Sequence, residues 1–227
     1  MGLNIDYQAL PAESSLLMRA IAEPEFGGEL WSLAAALQGR CRCKFLNPMK
    51  REFRQEVDSL RVEKPGIENR NRDFQDKSWD VMHFLVSDLR RREMDGGPGP
   101  RSLLAHDWEV INLPKRRNKP KWAQPYIAED WGTSVIRGSV QLAPHLIGGQ
   151  GHPIRYNPPE KVQECAEYLA LLELSDIEPY YAEQKAWGLA VYVSGYDLEL
   201  LWQHFQDLCD LYADAVAHCE GILVTMY

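Results

Sequence analysis

The chain has 227 residues, of which 45% are hydrophobic and 26% charged, and its formal net charge is −8. This composition supports a buried core; no apolar run reaches the length of a membrane span, and the N-terminus lacks the basic-then-apolar order of a secretion signal, so the expected compartment is the cytoplasm. Five cysteines, odd in number and scattered, argue for reduced thiols and against a disulfide framework.

In chain order, Leu3, Ile5 and Tyr7 alternate with polar residues, as in a half-buried strand. Pro11 and Ala12 open a helix whose apolar face is Leu16, Leu17, Ala20 and Ile21, and Pro24 with Gly27 and Gly28 interrupts it. A second helical run goes from Glu29 to Leu37. From Arg40 to Arg61 basic residues dominate, and Phe53, Val57 and Leu60 predict a short helix with a basic outer face. Glu63 to Arg72 reads as a loop.

Asp76 to Leu89 predicts the central helix. Asp76 is placed to cap it, and Trp79, Met82, Val86 and Leu89 recur at spacings of three and four on one face. Asp80, His83 and Ser87 share a neighbouring face. The pattern then collapses into Arg90-Arg91-Arg92 and Gly96-Gly97-Pro98-Gly99-Pro100. Strands are predicted at Trp108 to Leu113 and at Ser134 to Leu142, the latter with Val135, Ile136 and Val140 as its apolar members. The last third is cleaner. A short strand at Ile154 to Tyr156 precedes a helix opened by Pro158 and Pro159, with Val162, Cys165, Ala166, Leu169 and Leu172 buried. Ala186 to Ser194 reads as a strand. Asp197 caps a long helix with a stripe from Leu198 through Cys219, which Gly221 is expected to end. Ile222 to Met226 is the closing strand.

Several of these stretches, in this order, resemble the YfbM-like bacterial proteins. They are Asp76 to Asp80 followed by His83-Phe84-Leu85, the turn at Ile147-Gly148-Gly149, Arg155 to Val162, and Phe205 to Tyr212 leading into Ile222 to Met226. The resemblance implies an α+β domain and no assigned activity. The chain departs from that pattern where Ser87-Asp88 and the arginine run replace a glycine turn, and where a long connection follows. The expected organisation is one α+β domain, 1–227, with a family-atypical insert at about 88–137. Its sheet is expected to be mixed or antiparallel, to contain the N- and C-terminal strands, and to be covered by several helices.

Three functional readings follow from the residues. The charge is uneven: residues 157–227 carry 2 Lys+Arg against 13 Asp+Glu, a balance of −11, and the preceding part is at +3. An acidic last third disfavours nucleic acid there and favours a basic protein partner, which predicts a non-enzymatic protein-binding module. The alternative is an enzyme on a small polar substrate, with His83 as acid–base group oriented by Asp80 and Tyr7 or His145 completing the site. One helix rarely aims three groups at a single substrate atom, so a hydrogen-bond network is the plainer explanation. A third reading is weak nucleic-acid binding through Lys115, Arg116, Arg117, Lys119 and Lys121, with Trp122 to stack a base; a solvated loop explains this run as well. Cys41 and Cys43 supply half a ligand set, with His106, His145 and His152 isolated, so no metal and no cofactor is expected, although basic neighbours could activate the two thiols. Asp207, Asp210 and Asp214 are expected on the outer face of the last helix. Trp79, Trp187 and Trp202 are expected in the core. Nothing in the sequence sets the oligomeric state.

Overall fold

The computed structural model describes residues 4–40, 48–74, 78–87, 131–147, 152–186 and 196–226. Among the described residues five strands make one sheet: β1 (Ile5–Leu10), β2 (Asn71–Phe74), β3 (Val140–Gln141), β4 (Arg155–Asn157) and β5 (Gly221–Met226). Their spatial order is β2-β1-β5-β4-β3, and every pairing is antiparallel. The first and last strands lie side by side, with Ile5 opposite Met226 and Leu10 opposite Gly221. The architecture is α+β, with an antiparallel sheet that contains both terminal strands. β2 falls in a stretch expected to begin as loop. Its Asn71, Arg72 and Asp73 carry no strand-like apolar pattern, and pairing with β1 is what makes it a strand.

β1 corrects one expectation. Its alternation predicts a half-buried strand, yet all six residues are buried, as are all six of β5. Helices cover both faces of the sheet, so the polar positions of β1 also turn inward. The amide nitrogen of Gln8 is satisfied there by the carbonyls of Ile67 and Arg70, which accept from its Nε2 at 3.0 and 3.1 Å.

One face carries Leu10, Tyr156 and Leu223. It is covered by α1 (Ser15–Ala22), α2 (Pro24–Gly27), a 3-10 turn (Gly28–Ser32), α3 (Leu33–Leu37) and α4 (Pro48–Glu63). The expected helix of residues 29–37 therefore forms as a 3-10 turn followed by α3. α1 begins later than expected because Ser14 is its cap, Oγ accepting from Leu17 N at 3.2 Å. Leu16, Leu17 and Ala20 are buried, as are Phe53, Val57 and Leu60 of α4.

The other face carries Ile5, Tyr7, Ala9, Phe74, Ile222, Val224 and Met226. It lies under α5 (Ser78–Val86), α6 (Trp131–Arg137), α7 (Pro159–Leu171), α8 (Leu174–Ala186) and α9 (Leu198–Ala217). α5 is the expected central helix, but it is not amphipathic. Trp79, Val81, Met82, His83, Phe84, Leu85 and Val86 are all buried, so apolar neighbours surround it. The proposed cap Asp76 and the last stripe residue Leu89 lie outside the described residues.

The strand expected from Ser134 to Leu142 is corrected to a helix, α6, followed by the two-residue β3. Val135 and Ile136 are β-branched and suit a strand locally, but packing against α5 decides otherwise. A Cβ on Gly132 would lie 2.1 Å from the Val86 carbonyl oxygen, so only glycine allows the two helices to approach this closely. α6 thus belongs to the core, although the expected insert had included it. The strand expected at 108–113 falls outside the described residues, as does that expected from Ala186 to Ser194 except for Ala186, which ends α8; α8 itself has no counterpart in the sequence reading.

α9 begins as expected, with Asp197 Oδ1 accepting from Leu200 N at 2.8 Å. Its end is a correction. Cys219, not Gly221, takes the left-handed conformation, at φ 54°. Glu220 N donates to Ala215 O at 2.9 Å and Cys219 N to Val216 O at 3.1 Å, which closes a Schellman turn. Gly221 is already strand, and it is glycine because the Tyr156 ring lies across it. A Cβ there would sit 2.0 Å from the Tyr156 hydroxyl oxygen.

Candidate functional site

α5 and α6 bring three polar side chains together. His83 Nε2 lies 3.0 Å from Thr133 Oγ1, and Thr133 Oγ1 lies 2.8 Å from Ser87 Oγ. His83 and Ser87 were expected on one face; Thr133 comes from a helix read as a strand, and this contact could not be read from sequence. His83 is 1% exposed, and Ser87 and Thr133 are 0%. A general base must reach the proton it abstracts, and this imidazole faces protein on all sides. Asp80 is half-buried on α5. Of the residues named to complete an active site, Tyr7 is committed to α6 and His145 is exposed on a turn.

A second polar cluster surrounds the C-terminal end of α6. The last carbonyls of a helix have no partner within it and need one when buried. Here two strands and one helix provide them. Tyr7 of β1 donates to Ile136 O at 2.7 Å. Tyr212 of α9 donates to Val135 O at 2.9 Å. Asn157 of β4 donates from Nδ2 to Ser134 O and to the Tyr212 hydroxyl, both at 2.8 Å, and its Oδ1 accepts from Ser139 N at 2.7 Å. Burial raises the Tyr7 phenol well above its ordinary pKa, with Arg137 opposing. Burial does the same to Tyr212, helped by Cys165 and Tyr7 and opposed by the Asn157 hydrogen bond. Both phenols are therefore neutral donors. The Cys165 thiol is pushed up to about 12, by burial first, so it is not a nucleophile. This cluster can clamp a helix; nothing in it is poised for proton transfer with solvent. Asn157 falls within one of the family-like motifs, and a polar residue in a buried strand was the available signal for it.

The exposed charge lies elsewhere. Glu160, Glu164, Glu167 and Leu171 occur at successive spacings of four, three and four on α7 and form one outer stripe. All four are exposed, Leu171 by 80%. α7 and α9 pack side by side, with Cys209 Sγ 3.8 Å from Leu169 O. On α9 Asp207 and Asp210 are exposed and Asp214 is half-exposed. Glu173, Asp176 and Glu178, at the start of α8, are exposed too. Lys161 pairs with Glu164 at 2.8 Å and lies over the Trp131 ring at 3.8 Å. Arg72 reaches Asp207 at 3.9 Å and His218 reaches Asp214 at 3.4 Å. Among the described residues Glu160, Glu167, Glu178, Glu199 and Asp210 have no ion-pair partner.

Trp79 is in the core as expected, whereas Trp202 is only partly buried at its margin. An open groove of about 540 Å³, lined in part by Leu37, Arg61, Gly66 and Asn69, includes none of the candidate residues. Its Arg61 is tied to the end of α3, donating from Nε to Leu37 O at 2.9 Å. Among the described residues no group of three or more His, Cys, Asp or Glu could hold a metal ion, and no helix is long and apolar enough to cross a membrane. Lys115, Arg116, Arg117, Lys119, Lys121 and Trp122, together with Cys41, Cys43, His106, Trp187 and the Gly148-Gly149 turn, lie outside the described residues.

Residues 44–225 match a family model described as a domain of unknown function, DUF1877. No curated protein and no solved structure matches the chain. The matched range begins after β1, yet β1 lies between β2 and β5, so the sheet of this family region is completed by a strand from outside it.

Proposed function

Because the chain belongs to DUF1877, a family of domains of unknown function, its activity has to be argued from its own surface, and we propose that it is a non-enzymatic protein-binding module of the cytoplasm whose acidic helical face receives a basic segment of a partner protein. Within that family we place it beside the YfbM-like proteins, on the order of the motifs given above.

One observation carries the reading. The outer stripe of α7 sets three glutamates in line with a leucine that is 80% exposed, beside the aspartates of α9. Of these, Glu160, Glu167 and Asp210 have no ion-pair partner among the described residues, and carboxylates left unneutralised on rigid helices produce a field that steers a cationic partner and fixes its register. The adjacent leucine offers such a partner an apolar contact, which charge alone would not supply. By contrast, a buried His83 offers little to a substrate arriving from solvent.

The reading is tested by affinity capture from a cell lysate with the wild-type chain and with Glu160→Lys/Glu167→Lys/Asp210→Lys, at low and at high salt. A specific basic protein retained by the wild type, released by salt and not retained by the triple variant is the expected result. Retention that ignores both salt and charge reversal sinks the proposal. Circular dichroism of the variant verifies that only the surface has changed.

A further inference from the structure

Two exposed helix stripes of this chain match each other. On α4, Arg51, Gln55, Asp58 and Val62 follow at spacings of four, three and four, with Arg54 beside them. The outer stripe of α7 repeats those spacings in Glu160, Glu164, Glu167 and Leu171. Each stripe starts with charge and ends on a bare aliphatic side chain. Val62 is 81% exposed and Leu171 80%, more than any other large hydrophobic among the described residues. Phe53, Val57 and Leu60 are buried on the opposite side of α4, and Val162, Cys165 and Leu169 on the opposite side of α7, so both stripes point away from the core. Arg51, Arg54, Glu160 and Glu167 are exposed, and none has an ion-pair partner among the described residues.

We propose that the two stripes are the halves of one contact, in which the α7 face of one copy receives α4 of a second copy of this chain. The inference rests on the reading that the acidic stripe is a docking face, and it names an occupant. Laid parallel, the helices bring Arg51 opposite Glu160, Gln55 opposite Glu164 and Val62 opposite Leu171, because the two intervals are equal at about 16 Å of helix rise. Asp58 then faces Glu167, but it is already paired with its own Arg61 at 3.0 Å. Laid antiparallel, Val62 meets Glu160 and Leu171 meets Arg51, so the apolar ends stay apart and gain nothing from each other. Charge and apolar contact therefore select the same orientation.

The fold decides what such a contact builds. α4 covers one face of the sheet and α7 the other, so the two stripes lie on opposite sides of the molecule. A contact between unlike faces on opposite sides does not close as a two-fold dimer; it repeats head to tail. One helix pair is a small interface, at the low end of specific contacts. The association is therefore weak and grows with concentration.

The test is sedimentation velocity of the purified full chain at rising concentration and physiological ionic strength, where repulsion between two acidic copies is screened beyond about 8 Å. Two blunted variants accompany it, Arg51→Gln/Arg54→Gln/Val62→Ser on α4 and Glu160→Gln/Glu167→Gln/Leu171→Ser on α7. The wild type is expected to grow past a dimer, and each variant alone to stay monomeric. An equal mixture of the variants is expected to form a one-to-one dimer and stop there, since each supplies the half that the other lacks. A wild type that stays monomeric or closes as a dimer overturns the proposal, as does a variant that associates alone or a mixture that stops at one or passes two. If a triple variant does not fold, Val62→Cys mixed with Leu171→Cys under mild oxidation decides instead: a disulfide between positions 62 and 171, identified by peptide mass, supports the contact, and its absence refutes it. The two readings fail separately. A wild type that is monomeric yet retains a basic lysate protein through Glu160 and Glu167 loses only the second copy as occupant, whereas one that associates with itself and retains nothing else loses only the foreign partner.

Discussion

Beneath α5 to α9, three polar side chains cross the core to hold the end of one helix; beneath α1 to α4, the sheet face is closed mainly by apolar packing, with Gln8 and the Tyr156 hydroxyl bonded locally to carbonyls, and ion pairs stand at the rim. On the first face Tyr7, Asn157 and Tyr212 donate to consecutive α6 carbonyls from residues far apart in sequence. On the second, Arg19 of α1 bonds to Glu23 and to Glu52 of α4, and lies over the Phe26 ring at 4.4 Å. The difference teaches where polar groups determine a structure. Inside, every unmade bond leaves a desolvated donor or acceptor, so the arrangement is specified closely. At the rim water replaces a lost partner, so the same bonds matter little.

The contrast is broken hardest by Asn157→Leu. It removes a partner from Ser134 O, the Tyr212 hydroxyl and Ser139 N; Ser134 O keeps Gly138 N and the phenol keeps Val135 O, so Ser139 N is the group left unsatisfied, and the change should remove up to about 3 kcal/mol of stability. Chemical denaturation measures this; a loss below about 1 kcal/mol would mean the clamp is not what fixes α6. Gly221→Ala tests the other face through Tyr156. The methyl group has to displace the ring and its bond to Leu10 O, at a cost of about 1–3 kcal/mol. A changed near-ultraviolet circular dichroism signal should accompany the loss, and an unchanged melting temperature contradicts the packing. The smallest effect belongs to Arg19→Met, which removes the rim ion pairs and keeps most of the aliphatic stem over Phe26. Its melting temperature should approach that of the wild type as salt is raised; a large, salt-independent drop would place Arg19 among the core determinants instead.

Much of the framework was legible. The terminal strands, the α4 positions Phe53, Val57 and Leu60, the Pro159 start of α7 and the Asp197 cap of α9 all follow from local chemistry. The errors share a cause. α5 shows an apolar stripe, but a stripe does not reveal that the remaining faces are also covered. Val135 and Ile136 fit strand or helix until α5 and the clamp choose. Gly221 looks like a helix stop, and it is needed one element later, under an aromatic ring from β4. The candidate site was legible in charge, since the acids of the last third stand exposed on α7, α8 and α9. It was not legible in the core, where His83 meets a threonine 50 residues away.

Hydrophobic period, caps and charge distribution are properties of neighbouring residues, and they alone determine an α+β chain with an acidic C-terminal part. Which polar residues meet, which helix is enclosed and which glycine admits a ring are decided by the packed chain, because contacts between distant segments obey distances that no local pattern records.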